Sequence, residues 1–175
     1  TGASRGIGAE IAKRLASEGF YTVVNYANSA GAADKVVEEI KAAGGQAQAY
    51  QVDVSNAKQV NRMFADVKAS LGSIDVLINN AGIMIPPYEL TTDGFESQFG
   101  VNHLGPFALT GLLLNKLRSS PNARVVSTAS IAHKRGKIFF DDINAQKRYN
   151  PVTRYAQSKL ANLLFGYELQ RRLSA

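Results

Sequence analysis

The chain contains no cysteine, which excludes disulfides and thiolate metal sites. Only two histidines are available, His103 and His133. A zinc site would have to lean on carboxylates, and no metal is expected. No apolar run approaches the roughly 18 residues that a membrane span requires. The longest patches, such as Leu112-Leu113-Leu114, sit inside mixed sequence. A pattern of charge, apolar stretch and cleavage site is also missing, so no membrane span or secretory signal is expected. The lack of cysteine fits a reducing, cytoplasmic setting. Basic residues outnumber acidic ones by 20 to 14, for a net charge of +6. They read as spread along the chain, without a basic block or interleaved aromatics, which argues against nucleic-acid binding. From Tyr21 through Ala33 there is no Asp or Glu.

What is present is ordinary for one globular domain: 175 residues, 45% hydrophobic and 19% charged. The apolar rhythm alternates between two periods. Ile7, Ile11, Ala12 and Leu15 mark a helix that Gly19 stops, and residues 21–26 form a β-branched strand. Residues 32–43 predict a helix, 47–54 a strand, and 57–71 a helix with Val60, Phe64, Val67 and Leu71 on one face. Asp75–Asn79 predicts a strand of the buried, parallel type. One long helix is expected over Gly94–Arg118, a strand over 124–128, an irregular polar insertion from Lys134 to Pro151, and a last helix over Tyr155–Leu173. Such alternation implies an α/β fold, a Rossmann-type doubly wound parallel sheet within a single domain, 1–175. The Gly-rich stretch opens the chain without a strand before it, and no strand follows the last helix. The sheet is therefore expected to be incomplete, and the chain to be a fragment of a longer protein.

Thr1-Gly2-Ala3-Ser4-Arg5-Gly6-Ile7-Gly8 runs directly into the first helix. Glycines allow a tight turn and a close approach to a pyrophosphate, and the free N–H groups at a helix start attract its charge. The spacing differs from GxGxxG, and a helix-entry loop is the plain alternative. An acidic residue about 20 positions on would hold the ribose 2′-hydroxyl of NAD. Here that stretch ends in Val24-Asn25-Tyr26-Ala27-Asn28, which leaves room beside Asn25 for a 2′-phosphate that Arg5 could pair with. NADP(H) is therefore favoured over NAD(H).

Tyr155 and Lys159 stand at i and i+4, on one helix face. A phenol titrates near 10 and is a poor acid or base at neutral pH, but a neighbouring cation favours its ionised form. The pair is a candidate general acid/base. The spacing alone arises readily by chance, and its place in a series of ordered motifs gives it weight.

Taken together, these motifs resemble the short-chain dehydrogenase/reductase family, collinearly over the whole chain. Thr1–Gly8 resembles the family's cofactor loop, with Gly2, Ser4, Arg5, Gly6, Ile7 and Gly8 as cofactor-binding residues. Asp53-Val54 resembles the adenine-contacting pair, and Asn79-Asn80-Ala81-Gly82 the segment bordering the adenosine ribose, with Asn80, Ala81 and Gly82 at the cofactor. Asn102, Ser130, Tyr155 and Lys159 match the catalytic tetrad. The resemblance implies that Ser130 hydrogen-bonds the substrate oxygen while Tyr155 exchanges the proton. Lys159 would tune Tyr155 and hold the nicotinamide ribose, and Asn102 would hold a water linking Lys159 to solvent. Pro106 lacks an N–H, so the Asn102 carbonyl is expected to be free for that water. Thr1–Ile83 resembles 3-oxoacyl-carrier-protein reductases, whereas the segments around Asn102, Phe140–Asn144 and Gln157–Asn162 resemble retinol-dehydrogenase-type members. The implied function is NADP(H)-dependent interconversion of a small-molecule carbonyl and an alcohol. The alternative is a cofactor-binding protein or truncated homologue without turnover. The family also implies a homodimer or homotetramer of the full-length parent, built on the two long helices.

Overall fold

The computed structural model describes residues 1–54 and 56–174, the side chain of Ala57 aside. The chain divides into two compact units, Thr1–Ile74 and Asp75–Ala175.

The first unit runs α1 (Gly6–Ser17), β1 (Thr22–Tyr26), α2 (Ala30–Ala42), β2 (Ala47–Gln51) and α3 (Ala57–Leu71). β1 and β2 pair in parallel, with Thr22 opposite Ala47 and Tyr26 opposite Gln51. Parallel neighbours need a crossover between them, which α2 supplies. The core joins Ala9, Ala12 and Ala16 of α1 to Val24 and to Val36, Val37 and Ile40 of α2. Gly44-Gly45 makes the return to β2: Gly44 has φ 83°, and a Cβ on Gly45 would lie 2.9 Å from Ile40 Cγ2. Asn56 caps α3, its Oδ1 accepting from Gln59 N–H at 3.1 Å. Of the expected stripe, Val60, Phe64 and Val67 are buried and Leu71 is half-buried, and Met63 joins it.

The second unit runs β3 (Val76–Asn79), α4 (Ser97–Phe99), a π-turn (Gly100–Leu104), α5 (Gly105–Leu117), β4 (Arg124–Ser127), 3₁₀ turns at Ile131–Arg135 and Phe140–Asp142, and α6 (Pro151–Leu173). β3 and β4 also pair in parallel, Val76 opposite Arg124 and Asn79 opposite Ser127. The ladder extends at both ends through Arg124 N–H to Asp75 O (2.8 Å) and Thr128 N–H to Asn79 O (2.9 Å). Asn79 Nδ2 donates to Thr110 Oγ1 at 3.0 Å, which ties β3 to α5. Parallel strands alternating with helices give the α/β, Rossmann-type fold that the periodicity predicts. β3 is half-buried where a fully buried strand is expected: Leu77 and Asn79 are buried, while Val76 and Ile78 are partly exposed.

Two expected elements are corrected. The single helix over Gly94–Arg118 is replaced by α4, the π-turn and α5. Gly94, at φ 82°, belongs to the preceding turn. The helix begins only after Glu96, whose carboxylate accepts from the N–H groups of Gln98 (3.0 Å) and Phe99 (2.8 Å). Just before Pro106 the ladder widens, with Gly105 N–H reaching Gly100 O. Proline cannot donate, and a π-turn is one way to absorb that loss. The last helix starts at Pro151, where proline is tolerated because its N–H would be unpaired anyway, and Asn150 Oδ1 caps it through Thr153 N–H at 3.0 Å. The insertion is irregular, as expected, with 3₁₀ turns at Ile131–Arg135 and Phe140–Asp142. The Arg154 guanidinium is buried and pairs with Asp142 at 2.7 Å. It also donates to the carbonyls of Asp142 (2.7 Å) and Arg148 (3.1 Å) and stacks 4.7 Å from the Phe139 ring centre.

Candidate active site

In the first unit, Gly2 (φ 59°) and Gly6 (φ 56°) both occupy the left-handed region. A Cβ on Gly6 would meet nothing within 4 Å, so glycine is needed there for conformation, not for space. Ala3 N–H donates to Asn25 O at 2.8 Å and pins the loop to the end of β1. Arg5 precedes α1 in extended conformation, no side chain caps the helix, and no acidic residue lies in its first turn. Ser4 is half-buried, Arg5, Gly6 and Ile7 are exposed, and Gly8 is buried. An uncapped, acid-free helix start with a glycine turn fits a diphosphate group. Asp53 and Val54 follow β2, and Asn56 N–H bonds Asp53 O at 3.0 Å. Asn25 is buried, and its Nδ2 donates inward to Val52 O at 3.0 Å, so its side chain braces the residue that follows β2.

In the second unit, the loop Asn80-Ala81-Gly82 leads from β3 to Ile83, and Asn102 of the π-turn grips that residue. Asn102 Oδ1 accepts from Ile83 N–H at 2.8 Å, and its Nδ2 donates to Ile83 O at 2.9 Å. Gly82 leaves room for this approach, since a Cβ there would sit 3.1 Å from Asn102 Oδ1. The second Nδ2 hydrogen goes to Ser158 Oγ at 3.0 Å, and Ser158 in turn donates to Tyr155 O at 2.8 Å. Asn102 is thus joined to the turn of α6 that carries Tyr155 and Lys159.

Lys159 is 5% exposed. Its Nζ donates to Thr128 O at 3.0 Å and lies 5.6 Å from the centre of the Tyr155 ring. Burial holds its ammonium below the ordinary lysine range. Ser130 stands after β4, where its Oγ accepts from Ala132 N–H at 3.2 Å, and its hydroxyl proton remains available for donation. The turn behind it packs tightly on α6: a Cβ on Gly136 would lie 2.7 Å from Ala156 O and 2.9 Å from Leu160 Cβ. Gly136→Ala is therefore expected to destabilise the protein by about 1–3 kcal/mol through overpacking, read as a lower denaturation midpoint.

The structure adds residues that sequence reading missed. His133 clasps Ser130, its Nδ1 lying 2.6 Å from Ser130 O; the i, i+3 spacing was the only signal. Ser158 and Asn162 share the face of Tyr155 and Lys159, a helical repeat visible once Tyr155 is singled out. The basic residues are less dispersed than expected, for Lys134, Arg135 and Lys137 stand exposed together just after Ser130.

The expectation for Pro106 is overturned. The Asn102 carbonyl is capped by protein, accepting from Asn162 Nδ2 at 2.9 Å. His103 then meets Asn162 Oδ1 through Nδ1 at 3.1 Å. Burial among Phe99, Phe107 and Phe165 lowers the His103 pKa from 6.5, and the Asn162 bond only partly opposes it. A histidine whose folded pKa is depressed takes up its proton more readily when unfolded. Stability is therefore expected to be fully present above about pH 6.5 and to decline as pH falls below that value. Denaturation midpoints between pH 5 and 8, compared with His103→Phe, check this; the variant should lose part of the acid sensitivity.

The sequence profile of the short chain dehydrogenase family (adh_short) matches residues 1–174. The chain belongs to that family. Mouse retinol dehydrogenase 12 is 45% identical over 176 residues, covering 99% of this chain and 55% of that protein. Human retinol dehydrogenase 11 is 43% identical, with the same coverage of 99% and 55%. The chain thus spans about half the length of the curated relatives it matches, and the likeness runs through both of its halves. Among solved structures, an uncharacterized protein from Mycobacterium paratuberculosis aligns with a TM-score of 0.83 and 45% identity, over 99% of this chain and 60% of that one. A short chain dehydrogenase from Burkholderia cenocepacia, in complex with NADP, aligns with a TM-score of 0.80 and 32% identity, over 99% and 66%. Membership of the short chain dehydrogenase family thus rests on a profile match over nearly the whole chain. Among its described residues no helix is long and apolar enough to cross a membrane, and no group of three or more His, Asp or Glu is placed to hold a metal.

Proposed function

We propose that the full-length protein interconverts a carbonyl and a primary or secondary alcohol with NADP(H), and that Tyr155 exchanges the accompanying proton. The observation that carries this reading is the arrangement on α6. Tyr155 and Lys159 share one face, with Nζ 5.6 Å from the ring centre, and the Asn102–Ser158 bonds fix the turn between them. The cofactor, when bound, supplies or accepts the hydride at the reacting carbon. The protein's part is to hold the substrate oxygen and move its proton. Ser130 donates its hydroxyl hydrogen to that oxygen, Tyr155 donates or removes the proton, and the buried Lys159 ammonium provides positive charge where negative charge develops. Residues 1–175 act in this reading as one dinucleotide-binding and catalytic domain. Within the first unit the reading assigns Gly2–Gly8 to the phosphates and Asp53 and Val54 to the adenine; within the second it assigns Asn80, Ala81 and Gly82 to cofactor binding.

Several observations support NADP(H) over NAD(H). No acidic residue occurs from Tyr21 to Ala33, Arg5 is exposed at the glycine turn, and the Burkholderia neighbour was solved with NADP. Arg5→Ala is expected to weaken NADPH binding by about tenfold to a hundredfold, the worth of a charge-assisted hydrogen bond, and to leave NADH binding unchanged. Fluorescence titration with both cofactors distinguishes the outcomes. An apolar substrate is supported by Ile131 and Phe140, which are 78% and 82% exposed close to Ser130 in sequence, and by the retinol dehydrogenases among the relatives. A homodimer or homotetramer and a cytoplasmic location belong to the same proposal, tested by light scattering and fractionation of the full-length protein. The direct test of function is a panel of aldehydes, ketones and alcohols, read by nicotinamide absorbance with each cofactor. Turnover of apolar aldehydes with NADPH is expected; cofactor binding without turnover of any member would refute the proposal.

A further inference from the structure

The cap on the Asn102 carbonyl belongs to a longer chain of bonds. In a regular helix that carbonyl would accept from the N–H of residue 106, which proline lacks. Asn162 Nδ2 stands in its place at 2.9 Å. Because a carbonyl only accepts, the donor end of the Asn162 amide must face it, which turns Oδ1 toward His103 Nδ1, 3.1 Å away. Oδ1 also only accepts, so His103 must carry its hydrogen on Nδ1. Beyond Asn102 the bonds continue in one sense, from Asn102 Nδ2 to Ser158 Oγ and from Ser158 Oγ to Tyr155 O. Asn102, Ser158 and Asn162 are all at least 94% buried, with exposures of 1%, 0% and 6%. Low-dielectric burial makes such a bond strong and its loss costly.

We infer that Asn162 is a positioning residue. Its carboxamide replaces the backbone donor absent at Pro106 and holds Asn102, and Asn102 in turn holds both the Gly82–Ile83 loop and the turn carrying Tyr155. His103 serves as the outer anchor that orients the Asn162 amide. The catalytic consequence rests on the proposed role of Tyr155; the orientation of the amide does not.

Two measurements on the full-length protein keep these apart. In the first, [¹⁵N]histidine NMR at neutral pH reads the tautomer of His103, assigned by its disappearance in His103→Phe. The expected pattern is protonated Nδ1 with bare Nε2. A hydrogen on Nε2 alone would reverse the Asn162 amide and overturn the inference, whatever the enzyme does. In the second, Asn162→Leu is compared with Asn162→Leu/Pro106→Ala, in which residue 106 regains an N–H. The single variant should lower kcat by on the order of tenfold to a hundredfold, as small displacements of reacting groups do. The double variant should recover a substantial part of both kcat and melting temperature. Unchanged kcat in the single variant, or an equal fall in kcat and melting temperature without recovery in the double variant, would overturn it. Absence of turnover in the unmodified protein would refute the proposed function alone, while the tautomer and the recovery of melting temperature would still decide the role of Asn162.

Discussion

Tyr155→Phe in the full-length protein is expected to lower kcat by on the order of 10²- to 10⁴-fold, the usual contribution of a positioned general acid/base. NADPH binding should stay within about twofold, since uniform binding is untouched. The substitution deletes one hydroxyl and keeps the ring. The contact between Lys159 Nζ and that ring, 5.6 Å to its centre, therefore survives, as does the Ser158 bond to the Tyr155 carbonyl. A loss of rate with intact cofactor binding thus isolates the proton-transferring oxygen. Steady-state absorbance gives the rate, and quenching titrations give the binding.

Lys159→Met should show the second large effect, and in an unusual combination. The ammonium is 5% exposed and its pKa is pushed down by desolvation. A lysine with a depressed folded pKa costs the folded state stability wherever it is charged. Methionine removes that charge at similar volume, losing the bond to Thr128 O and the cation's contact with the Tyr155 ring. The melting temperature should therefore be no lower than that of the unmodified protein, while kcat/KM falls by on the order of 10²-fold or more through the lost charge. Lys159→Arg should not rescue it, because a planar fork cannot reproduce a single nitrogen seated between Thr128 O and the Tyr155 ring. Calorimetry and initial rates on the same preparations separate the two effects.

The alternation of elements was legible because it rests on side-chain period. α3 occupies the expected residues 57–71, and β1, β2, β3 and β4 fall within the expected strands. Failures occurred where specific polar contacts, not period, set the boundary. Glu96 starts α4 with its own carboxylate, and Asn150 with Pro151 starts α6 four residues before the apolar pattern suggests. The insertion is irregular as its composition suggests, but the buried Arg154 that gathers partners from Asp142 and Arg148 leaves no periodic trace. The site was legible as a list of residues and not as a set of bonds. Asn102, Tyr155 and Lys159 are brought together through Ser158, which spacing alone does not single out. The side chain of Asn25 and the carbonyl of Asn102 were illegible for one reason: a buried polar group finds an internal partner, and the partners, Val52 O and Asn162 Nδ2, are 27 and 60 residues away.

In the proposed function, hydride transfer at the substrate carbon is coupled to proton exchange at Tyr155. The most direct test of that coupling is product mass after incubating the full-length protein with an apolar aldehyde and NADPH deuterated at C4, each face labelled in turn. The alcohol should carry one deuterium from one of the two labelled faces, and Tyr155→Phe should suppress its formation on the order of 10²-fold or more. Alcohol lacking deuterium with both labels, or equal yields from the two proteins, would contradict it.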